Sequence, residues 1–135
     1  MGRFALFLFG TLALAGCSSN QSQSTSQGPG ADAVLHEVGG LIQMYSGETG
    51  KGPKKVADLT KYQNGYPLGF QAVQSGDVVV VWGAKIGGEG EAASGPTNVI
   101  AYEKKTPTEG GWVLLQNTTT KQMSASDFAS APKAQ

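Results

Sequence analysis

The chain has 135 residues, 39% of them hydrophobic, with 10 Lys and Arg against 10 Asp and Glu, one His and one Cys. That length fits one domain at most and leaves no room for a doubly wound nucleotide fold or a barrel. A lone Cys excludes a disulfide framework and every multi-Cys zinc or iron–sulfur arrangement, and zero net charge gives no reason to expect a polyanion as partner.

The chain opens with Met-Gly-Arg and then FALFLFGTLALA, an apolar run from Phe4 to Ala15 that precedes Gly16-Cys17. A membrane-spanning helix needs roughly 20 apolar residues to cross about 30 Å of hydrocarbon, so this run is too short. One positive charge at Arg3 followed by such a run has the dimensions of a secretory signal peptide. Residues 18–30, SSNQSQSTSQGPG, carry no aliphatic, aromatic or charged side chain. Such a stretch cannot bury enough apolar surface to offset its ordering entropy. It is expected to act as a flexible stalk spanning about 20 Å as a random coil.

Leu14-Ala15-Gly16-Cys17 resembles the bacterial lipobox, the cleavage and acylation signal of lipoproteins. The resemblance implies cleavage between Gly16 and Cys17 and diacylation of the Cys17 sulfur by palmitate-like chains. Cys17 then becomes the first residue of the mature protein and a tether to the membrane. Two or more acyl chains make such anchoring stable. An ordinary signal peptide with a coincidental Cys is the alternative. Ser18 after the Cys resembles the default signal for the outer membrane, which implies an envelope location facing the periplasm or the cell surface. Removing residues 1–16 takes away Arg3, the sole arginine, and leaves nine lysines against ten carboxylates, one net negative charge. Without arginine the chain lacks the planar fork for bidentate phosphate recognition, so nucleic acid and nucleotide are not expected partners.

The folded part is expected over 31–131. Asp32 is a plausible N-cap for a helix from about Ala33, in which Leu35, Val38, Leu41, Ile42 and Tyr45 form one apolar stripe. Gly39-Gly40 weakens that helix by about 1 kcal/mol per glycine and allows a close approach. KGPKKVADLTKY then predicts one or two helical turns with Pro53 at the first position, followed by an NGYPLG turn. From residue 70 the texture becomes that of strands, namely Asp77–Gly83, Asn98–Glu103, Trp112–Gln116 and Thr118–Met123. Pro107 and Gly110-Gly111 bracket a turn, Ser124 or Ser126 caps a short helix through Phe128, and 132–135 is expected to fray. The fold class is therefore α+β, an N-terminal amphipathic helix packed on a small three- to four-stranded antiparallel sheet.

In this order the pieces resemble the globular part of type IV pilins and type II secretion pseudopilins, as found in planctomycete-type bacteria. The residues that carry the resemblance are Met44-Tyr45, Gly50-Lys-Gly-Pro53, Val56–Leu59, Ile100–Glu103 and Gly110–Gln116. The resemblance implies a scaffold or assembly role. The sequence departs from it where Asn117-Thr118 replaces an Asp-Gly turn, and where the lipobox stands in place of a prepilin cleavage motif and its assembly helix.

Candidate chemistry is sparse. His36 is the single general base titrating near neutrality, but no G-x-S-x-G or comparable elbow accompanies it, so it reads as a structural histidine. The segment Gly83–Pro96 contains Gly88-Glu-Gly90-Glu-Ala-Ala93, a loose match to a dinucleotide loop. Glu89 and Glu91 would repel phosphate there, and a mobile hairpin loop is expected. Those two carboxylates also fall short of a calcium loop, and Lys51, Lys54, Lys55 and Lys61 read as a solvated face. No cofactor and no metal site are expected. Trp82, Tyr102 and Trp112 form a candidate binding face if exposed, and core otherwise. The expected function is non-catalytic, a lipid-anchored envelope protein presenting a binding or scaffold domain to another envelope component. The alternatives are a ligand- or glycan-binding module using those aromatics and, more remotely, a small hydrolase built on His36 and carboxylates.

Overall fold

A computed structural model describes residues 29–86 and 95–135. The expected signal peptide 1–16, Cys17, most of the stalk, and Glu89 and Glu91 of the glycine-rich loop lie outside the described residues. The molecule is α+β: helices pack on a four-stranded antiparallel sheet in the order β1-β2-β3-β4, with β1 at Val78–Val80, β2 at Val99–Glu103, β3 at Gly111–Leu115 and β4 at Thr120–Met123.

Helix α1 runs Ala31–Thr49, two residues earlier than expected. The carbonyl of Gly30 already accepts from the Val34 amide, so Gly30 is the cap. Asp32 lies instead in the first turn, where its carboxylate faces the positive end of the helix dipole. The predicted stripe is the core: Leu35, Val38, Leu41 and Ile42 are fully buried. Each such side chain contributes roughly 1.5–3 kcal/mol of transfer free energy. Leu35, Val38 and Ile42 face Val78, Val80, Ile100 and Leu114 of the sheet, while Leu41 packs against Leu59 and Phe70 on the opposite side. Helix α1 is thus sandwiched, and its two glycines explain how. A Cβ at Gly39 would stand 3.4 Å from a Leu114 methyl, and one at Gly40 would fall inside the Tyr66 ring at 2.3 Å.

That second layer begins with α2, Val56–Leu59, which continues as a 3₁₀ turn, Thr60–Tyr62. Pro53 is not its first helical residue. It is buried in the preceding segment, and its carbonyl accepts from the Gly83 amide at 2.7 Å. The layer ends with α3, Pro67–Ser75, where a turn and then strand texture were expected. Pro67 at its start and Gly76 at φ +84 after its end are the ordinary signals of a helix, but Gly69 inside it masked the pattern. A Cβ there would lie 2.7 Å from both Glu37 Cβ and the Val38 nitrogen, so only glycine lets α3 approach α1 this closely.

The first strand is shorter than its valine run. After Val80 the chain turns at Trp82-Gly83, with Gly83 at φ +93. In β2 the register shifts between Val99 and Ala101, so Ile100 is an extra residue opposite β3. Val99 therefore joins the outer cluster with Val113, Leu115 and Phe128, while Ile100 and Ala101 join the inner one. The turn at Pro107 is a single helical turn, α4 (Thr106–Glu109). Helix α5, Ala125–Ser130, is capped by Ser124, whose Oγ accepts from the Asp127 amide, and it places Phe128 over the outer face. Residues 132–135, expected to fray, do not: Pro132 O and Ala134 N both bond Val99, and Ala134 is buried. The free strand-edge groups of Val99 at the bulge supply that pairing.

Candidate functional site

The three aromatics of the expected binding face are not brought together. Tyr102 lies on the outer face of the sheet, half-buried, its ring 4.6 Å from that of Phe128. Trp112 sits on the inner side, packed against the main core beneath α1. Trp82 stands in the turn after β1, 38% exposed. Period-two alternation is the cause, because Tyr102 pairs with Val113 and thereby sends the neighbouring Trp112 to the opposite face. His36 is exposed, with its Nε2 3.3 Å from the Thr120 hydroxyl, a contact between α1 and the edge strand β4. Among the described residues no three His, Cys, Asp or Glu side chains gather as a metal site, and no helix is long and apolar enough to cross a membrane.

Of the three, Trp112 lines a sizeable cleft. This cleft, of about 520 Å³, lies between the start of α1, the end of β2, α4 and the β3–β4 pair. Its polar walls are Glu103, Lys105, Glu109, Gln122 and Ser124. Two adjacent glycines shape the floor. Gly110 holds φ +78 and passes so close to β4 that a Cβ would stand 2.8 Å from the Met123 carbonyl oxygen. At Gly111 a Cβ would fall 2.6 Å from Glu103 Oε2 and 2.8 Å from Thr106 Oγ1. The missing side chain lets the Glu103 carboxylate lie on the backbone and accept from the Trp112 amide at 2.7 Å. Its other oxygen is 3.8 Å from Lys105 Nζ. Glu103 is thus fixed from two sides, and Trp112 is held by its own backbone nitrogen.

Next to this cleft, sharing Ala31 and Glu103 with it, an apolar groove of about 220 Å³ runs between α1, α3 and β1 past Val34, Ala72 and Val78. Both open at the end of the molecule where the chain enters α1.

A second polar cluster lies at the far end of α1. The Glu48 carboxylate accepts from Lys61 Nζ and from the Tyr62 hydroxyl. Those hydrogen bonds, first from Lys61 and then from Tyr62, hold Glu48 below the ordinary carboxylate range, and the bond to Glu48 pushes the Tyr62 hydroxyl up to about 12. Lys61 of the expected lysine face is therefore paired, whereas Lys51, Lys54 and Lys55 are exposed. This cluster clasps α1 to the 3₁₀ turn and has no adjoining cavity among those described.

Sequence reasoning passed over Glu103, Glu109 and Gln122. A signal was present in Gly110-Gly111 immediately before Trp112, since paired glycines beside an aromatic mark a close backbone approach as well as a turn. Comparison with protein-family models, with curated proteins and with solved structures finds no match for this chain.

Proposed function

We propose that the chain is a non-catalytic, lipid-anchored protein of the bacterial envelope whose folded domain presents the Trp112 cleft to another envelope component. The observation that carries this reading is the cleft itself: a half-buried indole and a doubly held carboxylate on adjacent strands, at the end of α1 that leads to the lipobox-like Leu14–Cys17. A site built on strands is held more precisely than one on loops. A scaffold role of the pseudopilin kind belongs to the same reading, with secretion or pilus-assembly components as partners.

The test has two arms. Labelling cells with an alkyne fatty acid should tag the wild-type chain and leave Cys17→Ala untagged. A photo-cross-linker placed at Gln122 should capture an envelope component that the same group at Met44, exposed on α1, does not. Equal labelling of the Cys17 variant removes the anchor, and equal capture from both positions removes the cleft.

A second reading, a module for a small ligand or glycan, is favoured by the cleft's size, since about 520 Å³ lies within the roughly 300–1,000 Å³ of small-molecule sites. The aromatic set is then reduced to Trp112.

A further inference from the structure

We infer that the Trp112 cleft accepts a basic side chain, the ammonium of a lysine or the guanidinium of an arginine, carried by an extended protein segment. This deepens the reading of the cleft as the binding face and rests on it. The charges in the cleft decide the sign of the ligand. Two carboxylates, Glu103 and Glu109, stand against one ammonium, Lys105. Glu103 is already engaged by the Trp112 amide and by Lys105. Glu109 is exposed at the cleft rim; its backbone amide donates to the Lys105 carbonyl, but among the described residues its carboxylate takes part in no hydrogen bond or ion pair.

An anionic ligand would meet two carboxylates with a single lysine to offset them. A neutral one would leave Glu109 idle. A cation pairs with Glu109 and gains from the indole of Trp112, the aromatic side chain that attracts cations most strongly. Lysine and arginine also carry methylene stems that cover apolar surface, here Met123 and the indole, while the charged head stays at the polar rim. A volume of about 520 Å³ exceeds one side chain and leaves room for the backbone on either side of it.

The experiment uses the full chain in detergent with Trp82→Phe, so that tryptophan fluorescence reports Trp112 alone. The probes are an end-blocked Gly-Lys-Gly peptide, the same peptide acetylated on Nε, butylamine, and a β-1,4-linked N-acetylhexosamine trisaccharide. The lysine peptide is expected to change the Trp112 signal saturably, with the acetylated form about tenfold weaker through loss of both the ion pair and the cation–π contact. Glu109→Gln, at an exposed position, should weaken the lysine peptide about threefold without moving the thermal midpoint. Weaker binding of butylamine supports a protein-borne side chain, and equal binding overturns that source. Saturation by the trisaccharide and not by the lysine peptide overturns the cation while leaving the cleft a binding site. Silence of Trp112 toward every probe, together with equal cross-linking from Gln122 and Met44, overturns both this inference and the reading beneath it.

Discussion

Glu37 of α1 accepts a hydrogen bond from the backbone amide of Gly69 at 2.8 Å, so one helix supplies the N-terminal cap of another. Gly69 is the third residue of α3, whose cap residue Tyr66 offers no side-chain bond of its own. The carboxylate satisfies an otherwise orphaned amide and faces the positive end of the α3 dipole. Glu37→Ala is therefore expected to cost about 1 kcal/mol, as loss of a helix cap does. Gly69→Ala removes nothing, yet its Cβ would meet α1 backbone at 2.7 Å. Despite a helix-propensity gain of about 1 kcal/mol, it should destabilise by roughly 1–3 kcal/mol through overpacking. Urea unfolding of the two variants separates the effects, and a stabilised Gly69→Ala would refute the close approach.

The clasp at Glu48 makes stability sensitive to pH at both extremes. Glu48 titrates below its ordinary 4.5, so its contribution is present above that value and fades as pH falls through the lower, folded one. Tyr62 titrates near 12 rather than 10.0, so its contribution is complete below 10.0 and is lost as pH rises through about 12. In ultraviolet titration, the difference between wild type and Tyr62→Phe should show tyrosinate forming near 12. Adding Glu48→Gln to both proteins should bring that difference back toward 10.0. An unmoved difference would mean that the clasp is not formed in solution.

Thr118 is the one non-glycine residue with positive φ among those described, at +68°. A β-branched side chain is poorly suited to that region. The turn holds it there because Asn117 Oδ1 accepts from both the amide and the hydroxyl of Thr119, while the Thr118 amide bonds the Leu115 carbonyl. Thr118→Gly should stabilise the domain by about 1 kcal/mol in thermal or urea unfolding. A destabilised variant would show that the threonine side chain makes a compensating contact.

Ser46, in the last turn of α1, is buried with its Oγ unpartnered. An unsatisfied hydroxyl costs about 1–3 kcal/mol relative to an apolar group of the same shape. Ser46→Ala is expected to raise the unfolding free energy by about 1 kcal/mol, helped by the helix preference for alanine. A loss of stability on that change would reveal a bound water.

The elements legible in the sequence were those whose pattern is local. The α1 stripe, the Ser124 cap and the strands expected at Asn98–Glu103 and Trp112–Gln116 each need only a short window, and the structure places them within about two residues, whereas the run expected as Asp77–Gly83 forms a strand over Val78–Val80 alone. Helix α3 was hidden because Gly69 is present for a partner, Glu37 and Val38, that lies 31 or more residues away. The bonded end at 132–135 was hidden for a similar reason, as its partner is a bulge that no single strand announces. The site was legible only in part. Trp112 stood out by type, but the face it occupies depends on strand register, and Glu103 matters because Gly111 leaves room for it.

The spacing of the strands also orders events in time. Strands β2, β3 and β4 follow one another through the short connections 104–110 and 116–119, whereas β1 waits for closure of 81–98. Loop-closure entropy favours the short connections, so the three-stranded portion can assemble before β1 docks at its edge. In stopped-flow kinetics, Val113→Ala should then slow folding, while Val79→Ala should chiefly hasten unfolding. The strand richest in valine would be the last to arrive.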